Sequence, residues 1–476
     1  MSDLILMILQ IIIFLAIIYL ILFFIVRPLA QKRFAPPLTM KTPTADPKFD
    51  KNFKFGSSTA AWQVEDIKVQ SNWSLFEEKK KPNGTPCCPP HKHACESIER
   101  FDSDLQIMRD LKLTYYRFSV SWSAVNPEKG KFNLEYLQNY VTMCKKLRDS
   151  GIEPMLTLWH FENPAWVELE GGVIGPHFKE YLTDFTTRVI EAVKNCCTWF
   201  ITINEPVVFA NLAYKDGIFP PGEKSMSKFF DCCSSFMECH VQMYKIIHNL
   251  IPDAKVSIAK HTIPFYPMHN WSIIESILCN ILNNFNTSIL DAFETEIINY
   301  NVIGIPIYKK KIEGLKDTLD YIGINHYYCT WVSINPKDWD SMVFLPPPMS
   351  QNLKEYDYSD FGWSLCPESL AISAKWLHQC WNKRNLPIII TEHGIADEKD
   401  TKRPWFLEQS LSLLNDAIKE DKVPVIGYCH WSLLDNYEWA EGYKMRFGIV
   451  EVNHDTQERK VRESAFLYKK IIENSN

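Results

Sequence analysis

The sequence lacks an excess of positive charge, and it lacks cysteines spaced as metal ligands. Its 51 lysines and arginines are outnumbered by 57 acidic residues, which leaves a net charge of −6. This balance gives no electrostatic basis for binding nucleic acid, so no such partner is predicted. The 14 cysteines include three adjacent pairs but no paired C-x-x-C motif. No metal site is therefore predicted, and so many thiols fit a reducing compartment.

What the sequence has is length and apolar content. Its 476 residues allow two or three domains, or one large α/β barrel with insertions. Hydrophobic residues make up 46% and charged residues 23%, so the chain can bury a folded core. The 15 Trp and 20 Tyr are by default core residues, although carbohydrate sites also use aromatic faces.

Charge is absent from one long stretch near the N-terminus. After a short flank of residues 1–3, residues 4–26 read LILMILQIIIFLAIIYLILFFIV. At about 1.5 Å per residue this stretch is long enough to span a bilayer as a helix. A cleaved signal peptide is the alternative, but the apolar run is long and no small-x-small site follows it. The sequence therefore predicts a retained, single-pass transmembrane anchor.

The charges that flank this anchor predict its orientation. Basic residues follow the span, whereas only Asp3 and the amino terminus precede it, so the positive-inside rule places the large C-terminal part on the cytoplasmic side. Four N-x-S/T sequons favour the opposite side, although such triplets also arise by chance. The basic residues are Arg27, Lys32, Arg33 and Lys41, and the sequons begin at Asn72, Asn83, Asn270 and Asn286.

The rest of the chain reads as a linker and one domain. Residues 27–49 are polar and rich in proline, which predicts a juxtamembrane linker before a domain over residues 50–476. In that domain short apolar strands alternate with amphipathic helices such as 101–112 and 134–151. This alternation predicts a parallel α/β fold closed into a single (β/α)8 TIM barrel. The eight predicted strands are 53–62, 115–122, 153–160, 198–206, 254–261, 320–328, 386–394 and 423–434.

Two of these strands end on a glutamate. FITINEP delivers Asn204 and Glu205 at its end, and PIIITEHG delivers Glu392. The C-terminal strand ends of such a barrel line the mouth of the active site, so the two carboxylates would face one another. A carboxylate pair is the minimum for glycoside cleavage, with one acid protonating the leaving oxygen and the other attacking the sugar. Each glutamate alone would more often be a surface residue at a strand end.

Longer motifs favour the glycosidase interpretation. TINEP, TEHG and WSLLDNYEWAEGYKMRFGIV, in this order, resemble signature segments of family 1 glycoside hydrolases, the retaining β-glucosidase and β-galactosidase group. The resemblance extends from about residue 53 to about residue 471. It implies a TIM barrel that acts on β-linked glycosides. No metal or organic cofactor is implied, because carboxylates suffice for the chemistry.

The resemblance also implies roles for individual residues. Glu205 would be the general acid/base, Glu392 the nucleophile and Asn204 a ligand of the sugar 2-hydroxyl. Arg117 and Tyr327 would hold the nucleophile ionised and oriented, since a nearby guanidinium lowers the pKa of a carboxyl group. The acid must start protonated, so a less polar setting or the charge of Glu392 should raise its pKa.

A further set of residues would bind the sugar. Polar groups would form hydrogen bonds with its hydroxyls, and indole faces would pack against the pyranose ring. Each has a simpler alternative: His160 could be a satisfied core histidine, Gln63 could cap a turn, and the tryptophans could be packing residues. An acid at Glu438 would repel a phosphate, which favours an unphosphorylated glycone. The set comprises Gln63, His160, Asn204, Trp431, Glu438 and Trp439.

Some positions depart from the family's usual residues, which affects substrate preference and rate more than reaction type. Residues 262–318 resemble the family least, and NVIGIPIY replaces a familiar Gly-Asp-Tyr-Pro stretch, so unusual loops are expected over the aglycone side. Five single residues differ from those usual in the family: His393 replaces Asn, Phe161 replaces Trp, Glu162 replaces Asp, Ala124 replaces Arg, and Asp66 replaces Gly.

Together these observations predict a membrane-anchored retaining β-glycosidase for terminal β-D-glucosyl residues, or for related residues such as β-galactosyl. The reaction would pass through a glycosyl ester on Glu392, with Glu205 as acid and then base and with carboxyl groups about 5 to 5.5 Å apart. Two alternatives stay open. One is a catalytically silent, membrane-tethered sugar- or protein-binding relative, although such relatives commonly lose a carboxylate. The other is a transglycosidase that uses the same residues.

Overall fold

The computed structural model of the protein describes residues 2–37, 46–334, 342–345 and 358–475. Eight parallel strands close into a barrel, each paired with its two neighbours. Each overlaps one of the predicted strands, so the predicted (β/α)8 barrel is confirmed. The strands are Lys54–Ser58 (β1), Tyr115–Ser119 (β2), Glu153–Trp159 (β3), Trp199–Asn204 (β4), Lys255–His261 (β5), Ile322–Asn325 (β6), Ile388–His393 (β7) and Val425–Trp431 (β8).

Several strands are shorter than the sequence predicts. β1 stops at Ser58 instead of residue 62, and β8 stops at Trp431 instead of residue 434. At the mouth the backbone leaves the hydrogen-bond ladder and turns into loops and short helices, such as Ala61–Val64 directly after β1. The apolar pattern continues through these turns because the residues at the mouth are buried as well.

The barrel interior is filled in layers because alternate residues of each strand point inward. An apolar floor is formed by buried side chains from six of the strands and from the residue before β6. Arg117 lies two residues beyond Tyr115 on β2, and it is fully buried above this floor. The floor comprises Tyr115, Met155, Ile201, Ala259, Tyr321, Ile389 and Cys429, with Trp199 and Ile426 packed against it.

Helices cover the outside of the barrel, and the predicted helices 101–112 and 134–151 are confirmed as Phe101–Asp110 and Leu134–Asp149. Several helices are capped at their N-terminus by a side chain. Ser272, for example, accepts a hydrogen bond from a backbone N–H in the first turn of the helix that follows it. The other α-helices of the domain are Ala61–Val64, Asn72–Glu78, Trp122–Val125, Ala165–Leu169, Phe178–Val193, Pro206–Ala210, Met226–Leu250, Ile273–Thr295, Glu368–Trp381, Arg403–Lys419 and Glu463–Ser475, with a π-helical turn at Asn211–Lys215 and 3₁₀ turns at Gly172–Ile174 and Trp439–Glu441.

Three small sheets lie outside the barrel in the described part of the chain. One of them, the hairpin Ile297–Val302/Ile305–Lys311, contains NVIGIPIY and belongs to the segment that resembles the family least. It follows helix Ile273–Thr295 between β5 and β6. The second sheet has three strands, Phe265–Pro267, Thr330–Ile334 and Met342–Leu345. The third has two strands, Val450–Val452 and Arg459–Val461.

One apolar helix precedes the barrel. It runs as Ser2–Ile21, continues through a π-helical turn over Leu22–Val26 and ends as Arg27–Gln31. Residues Ile5–Gln31 are long and apolar enough to cross a membrane, by length and composition alone. By this criterion the helix qualifies as the predicted anchor, although a signal sequence near an N-terminus meets the same criterion.

The start of the predicted linker is helical in the structure. Residues 27–31 continue the N-terminal helix although they include Pro28. This proline lies in the first turn after the π-helical turn, where the missing backbone N–H is tolerated. Arg33 then pairs with Asp291 on the barrel at 2.6 Å. Residues 38–45 lie outside the described part of the chain. The segment that joins helix and barrel is therefore docked at its beginning.

Candidate active site

Strands β4 and β7 deliver two buried glutamates to the mouth of the barrel. β4 ends at Asn204, and Glu205 follows with a left-handed backbone of φ 43°. A residue with a side chain is strained in this conformation, which is found preferentially at functional sites. Glu392 lies on β7. Only 7% of Glu205 and 3% of Glu392 are exposed, so both acids lie within the barrel mouth.

One amide side chain, that of Asn325 at the end of β6, links the surroundings of the two acids. Its Nδ2 donates to Glu205 Oε1 at 2.7 Å and to Asn204 Oδ1 at 3.0 Å. Its Oδ1 accepts from Thr391 Oγ1 at 2.6 Å, on the residue beside Glu392. The two carboxyl groups are therefore parts of one hydrogen-bond network.

Arg117 reaches the same network from β2. Its Nη1 donates to Glu392 Oε1 at 2.6 Å, and its Nη2 donates to Asn204 Oδ1 at 2.8 Å. Its Nε donates to Thr157 Oγ1 at 3.0 Å, which holds the guanidinium in place. The hydroxyl of Tyr327 donates to the other carboxylate oxygen, Glu392 Oε2. The structure thus brings together all five residues predicted to act at the reacting centre.

The two carboxyl groups have different electrostatic surroundings. Burial raises the pKa of Glu392, while the charge of Arg117 and the hydroxyl of Tyr327 oppose that rise. The guanidinium thus lowers the pKa of Glu392 as predicted, but burial outweighs it. Glu205 accepts its hydrogen bond from the neutral amide of Asn325, and burial followed by the charge of Glu392 raises its pKa to about 8. Glu205 can therefore hold a proton at neutral pH.

His160 and Asn204 lie next to this network. Because Asn204 Oδ1 accepts from Arg117 and Asn325, its Nδ2 is the atom that donates to His160 Nε2, at 3.0 Å. His160 then carries its proton on Nδ1, which is buried and has no partner in the described part of the chain. Burial and the charge of Arg117 lower the pKa of His160 well below its usual value. The ring is therefore neutral and keeps one N–H donor for a ligand.

Gln63 and Glu438 form a second polar group. Gln63 Nε2 donates to Glu438 Oε2 at 3.2 Å and to Asn436 Oδ1 at 3.1 Å. Its Oε1 is buried and unpaired among the residues that the structure describes. Burial and the charge of Glu392 raise the pKa of Glu438 to about 8. Glu438 is therefore close enough to Glu392 for their charges to interact.

Aromatic rings form a wall beside these polar groups. The ring of His160 stacks against Trp431 and Trp439 at 6.0 Å and 5.9 Å between centroids. Phe161, which replaces the family's usual Trp, lies 5.2 Å from Trp439. Flat apolar faces next to unpaired polar atoms are what a pyranose ring requires of its site. The predicted glycone residues thus cluster around the acid network.

Two departures from the family's usual residues point away from that network. His393 lies on the opposite face of β7 from Glu392, where its Nδ1 is 2.9 Å from Tyr428 Oη. Asp66 pairs with Lys68 at 3.1 Å, and the lysine side chain is largely exposed. Neither side chain is placed to alter the reacting centre.

Two further departures belong to a short helix after β2. Glu162 accepts backbone N–H groups from Trp122 at 2.8 Å and from Ser123 at 2.9 Å, so it caps that helix. Ala124 is buried within the same helix. Both positions therefore support the rim of the mouth structurally, and among the departures Phe161 is the one that packs against the predicted glycone residues His160 and Trp439.

Sequence reasoning misses Asn325, Thr391 and the buried Lys260, whose charge lowers the pKa of Glu205. A signal for Asn325 is present in the sequence. It ends β6 as Asn204 ends β4, and a polar residue at the end of an apolar barrel strand faces the mouth. Thr391 and Lys260 give no comparable signal, because residues of these types are common within and at the ends of strands.

Comparison with known proteins gives a consistent result. The family model "Glycosyl hydrolase family 1" matches residues 45–476. Beta-glucosidase A of Acetivibrio thermocellus is 30% identical over 455 residues, which cover 90% of this chain and 98% of that protein. A solved beta-glucosidase from Thermotoga maritima in complex with glucoimidazole superimposes with a TM-score of 0.80, at 27% identity, over 90% of this chain and 99% of that one.

A solved beta-glycosidase from Pyrococcus horikoshii has a TM-score of 0.78 and 29% identity, over 91% of this chain and 96% of that one. The family model thus covers the chain from residue 45 to its last residue, and each of these relatives covers about nine tenths of it. The protein is a glycoside hydrolase, and its chain belongs to glycosyl hydrolase family 1.

Proposed function

We propose that the protein is a retaining β-glycosidase that releases terminal, non-reducing β-D-glucosyl residues, or related residues such as β-galactosyl. The observation that carries this proposal is the asymmetry between the two buried acids. Glu392 is bound by a guanidinium, whereas Glu205 is bound by a neutral amide and has a pKa of about 8. A carboxylate nucleophile needs the first environment, and a general acid needs the second.

In the first step Glu392 attacks the anomeric carbon, and the bond from that carbon to the aglycone oxygen breaks. Glu205 gives its proton to the departing oxygen, so the alcohol leaves neutral and the sugar remains as an ester on Glu392. Asn204, held by Arg117 and Asn325, is positioned to bond the sugar 2-hydroxyl as charge develops on the ring.

In the second step Glu205, now ionised, takes a proton from a water molecule. The resulting oxygen attacks the anomeric carbon from the face that the aglycone left, and the ester bond to Glu392 breaks. Two inversions give net retention. An alcohol in place of water would give transfer instead of hydrolysis through the same residues, and product analysis with added alcohol distinguishes the two.

The glycone side of the site favours an unphosphorylated sugar. Gln63 Oε1 and the Nδ1–H of His160 are buried and unpaired in the described part of the chain, so sugar hydroxyls would satisfy both. Glu438 beside Gln63 can accept or donate a hydrogen bond to a hydroxyl, depending on its protonation. It would repel a phosphate once ionised. The rings of Trp431 and Trp439 supply the apolar face.

The enzyme is proposed to be a single-pass membrane protein with its barrel on the cytoplasmic side. The apolar helix Ile5–Gln31 supports attachment, and the basic residues Arg27, Lys32 and Arg33, in its last turns and just beyond it, support this orientation. The 14 cysteines are all free thiols, which fits a reducing compartment. Expression in eukaryotic cells tests the orientation, because a glycan on the exposed Asn83 sequon would place the barrel on the opposite side.

Activity is expected to fall as pH rises through about 8. The free enzyme can begin a turnover only while Glu205 holds its proton, and the pKa of Glu205 is about 8. The dependence of kcat/KM on pH, measured with an aryl β-glucoside, reports this loss as a property of the coupled pair of acids. The control Glu438→Gln should have a higher KM, but its kcat/KM should still fall as pH rises through about 8. An unchanged limb in Glu205→Gln would show that another group is responsible.

Trapping the ester tests the proposal as a whole. The full chain in detergent would be incubated with 2-deoxy-2-fluoro β-glycosides of the gluco and galacto series, which slow hydrolysis of the intermediate. Peptide mass spectrometry should find a sugar adduct on Glu392, with the faster-reacting sugar revealing the preferred glycone. Folded protein that gives no adduct with either series would contradict the proposal and favour a silent binding relative.

A further inference from the structure

The N-terminal helix joins the barrel through specific hydrogen bonds. Asn280 Nδ2 donates to the backbone oxygen of Ala30 at 2.9 Å, and Gln31 Nε2 donates to Ser276 Oγ at 3.0 Å. Ala30 is fully buried against the barrel. A helix fixed in this way cannot turn freely, so the position of the joint determines which face of the barrel lies near the helix.

The joint also determines where the N-terminal helix meets the barrel. Ser276 and Asn280 lie in the first turns of helix Ile273–Thr295, whereas Arg33 pairs with Asp291 near the end of the same helix. Pro36 returns to the loop after β5, where its backbone oxygen accepts from the hydroxyl of Tyr266 at 3.0 Å. The last turn of the N-terminal helix therefore lies beside the first turns of helix Ile273–Thr295.

That N-terminal end belongs to the mouth of the barrel. Helix Ile273–Thr295 follows β5, and the loops after barrel strands form the face that carries the active site. β5 borders the catalytic strand directly, because the backbone N–H of Glu205 donates to the Ala259 oxygen of β5 at 2.8 Å. The apolar span thus leaves the protein beside the active-site mouth.

Exposed apolar side chains occur on the segment between β5 and β6 that contains this helix. Trp271 and Ile274, at the start of the same helix, are 67% and 54% exposed. Ile305 and Ile307, just after the turn of the hairpin that follows this helix, are 71% and 50% exposed. We call these four residues the rim patch. Four large apolar side chains this exposed, on one segment between two barrel strands, indicate an interaction surface.

The hairpin is oriented so that its tip points toward the mouth. Its first strand starts after the C-terminal end of helix Ile273–Thr295 and runs antiparallel to that helix. The backbone N–H of Asn301 shows this, because it donates to Oδ1 of Asn284, in the middle of the helix, at 2.7 Å. Tyr308 stacks on Phe230 at 4.7 Å between centroids. Phe230 lies in the first turns of the helix that follows β4, a part of the molecule that also belongs to the mouth end.

We propose that the rim patch enters the interface of the bilayer spanned by the N-terminal helix, so that the enzyme takes its β-glycosides from lipids of that membrane. The span is continuous with the segment that docks on the helix carrying Ile274, which identifies the bilayer as the partner. Tryptophan is favoured at the membrane–water interface, and isoleucine is favoured below it. The proposal rests on the membrane attachment and the glycosidase activity proposed above.

This arrangement sets a substrate class. A lipid with a β-linked sugar headgroup presents its glycosidic bond at the interface, which is the level at which the mouth would lie. The sugar can then reach Glu205 and Glu392 while the acyl or alkyl chains of the aglycone stay in the bilayer. The lipid therefore need not be extracted into water before cleavage.

Photochemical crosslinking tests the orientation without depending on activity. The full chain would be reconstituted into phosphatidylcholine vesicles with a photoreactive benzoylphenylalanine at position 271 or 305. The matched control carries the same group at the exposed Asp253, in the loop before β5 at the opposite end of the barrel. Crosslinks to lipid are expected at 271 and 305 but not at 253. Equal labelling at 253, no labelling at the rim, or failure of the chain to float with the vesicles would overturn the proposal.

Kinetics test the substrate class. The variant Trp271→Ser/Ile274→Ser/Ile305→Ser/Ile307→Ser should lose about tenfold or more in turnover of a β-glucosyl lipid in the same vesicles. Its kcat/KM for a soluble aryl β-glucoside should stay unchanged, as should both rates in the control Phe466→Ser, on the C-terminal helix. Wild-type enzyme that cleaves the soluble glucoside but not the lipid would overturn the lipid substrate. Enzyme that cleaves neither would contradict the glycosidase proposal instead, while the crosslinks still decide the orientation.

Discussion

Replacing Glu392 with Gln is expected to abolish activity toward every β-glycoside, whatever its leaving group. The amide has the shape of the carboxyl group and its oxygen can still accept from Arg117, but it cannot form a stable ester with the sugar. A loss of roughly 10⁶-fold in kcat is the scale that follows removal of a covalent nucleophile. Steady-state rates with aryl glucosides of increasing leaving-group acidity measure it, after contaminating activity has been excluded.

The matched control for this variant is Glu65→Gln. Glu65 is as deeply buried as Glu392, and burial raises its pKa to about 8, but its partners are the hydroxyls of Tyr136 and Tyr140 instead of the acid network. The control should therefore fold and retain activity. If Glu392→Gln kept measurable turnover while trapping labelled another residue, the nucleophile would be misassigned.

Replacing Glu205 with Gln is expected to divide substrates by their leaving groups. With a poor leaving group such as an alkyl alcohol, the first step should slow by about 10² to 10⁴-fold, because no proton is delivered to the departing oxygen. With dinitrophenolate the first step should be nearly normal, since that group leaves without a proton. The glycosyl ester should then accumulate, because no base activates water.

Azide gives this variant a diagnostic product. It attacks the ester on Glu392 without needing a base, so it should restore turnover in Glu205→Gln and yield a β-glycosyl azide, while leaving the wild-type rate unchanged. Product configuration by NMR would at the same time establish retention. Equal losses with good and poor leaving groups, or an α-configured azide, would show that Glu205 is not the acid/base.

Much of the barrel and its two acids could be predicted from the sequence because the signals are local. A strand such as Ile388–His393 shows its apolar run, its length and its polar end within a few residues. Period-two alternation also places Glu392 and His393 on opposite faces, as observed. The sequence motifs then connect the strand ends to one another through the family resemblance.

The remaining features depend on contacts between distant parts of the chain. The docking of Gln31 on Ser276 joins residues 245 positions apart, and no local pattern distinguishes it from a solvated linker. The same holds for Asn325, whose importance comes from hydrogen bonds to Asn204 and Glu205 at the end of another strand. A hydrogen-bond network of this kind is determined by the closed barrel and cannot be read from any single segment.

Under the proposed membrane attachment, the docked segment between the N-terminal helix and the barrel has a kinetic consequence. An enzyme held by a fixed joint on a bilayer meets its substrate by diffusion in two dimensions, so its rate depends on the surface density of glycolipid in its own membrane. Dilution of the surrounding solution leaves that density unchanged. A short, fixed joint also limits the reach of the mouth, which favours substrates in the same membrane over those in a neighbouring one. The hydrogen bonds of Gln31 and Asn280 would thereby determine which population of lipids the enzyme can use.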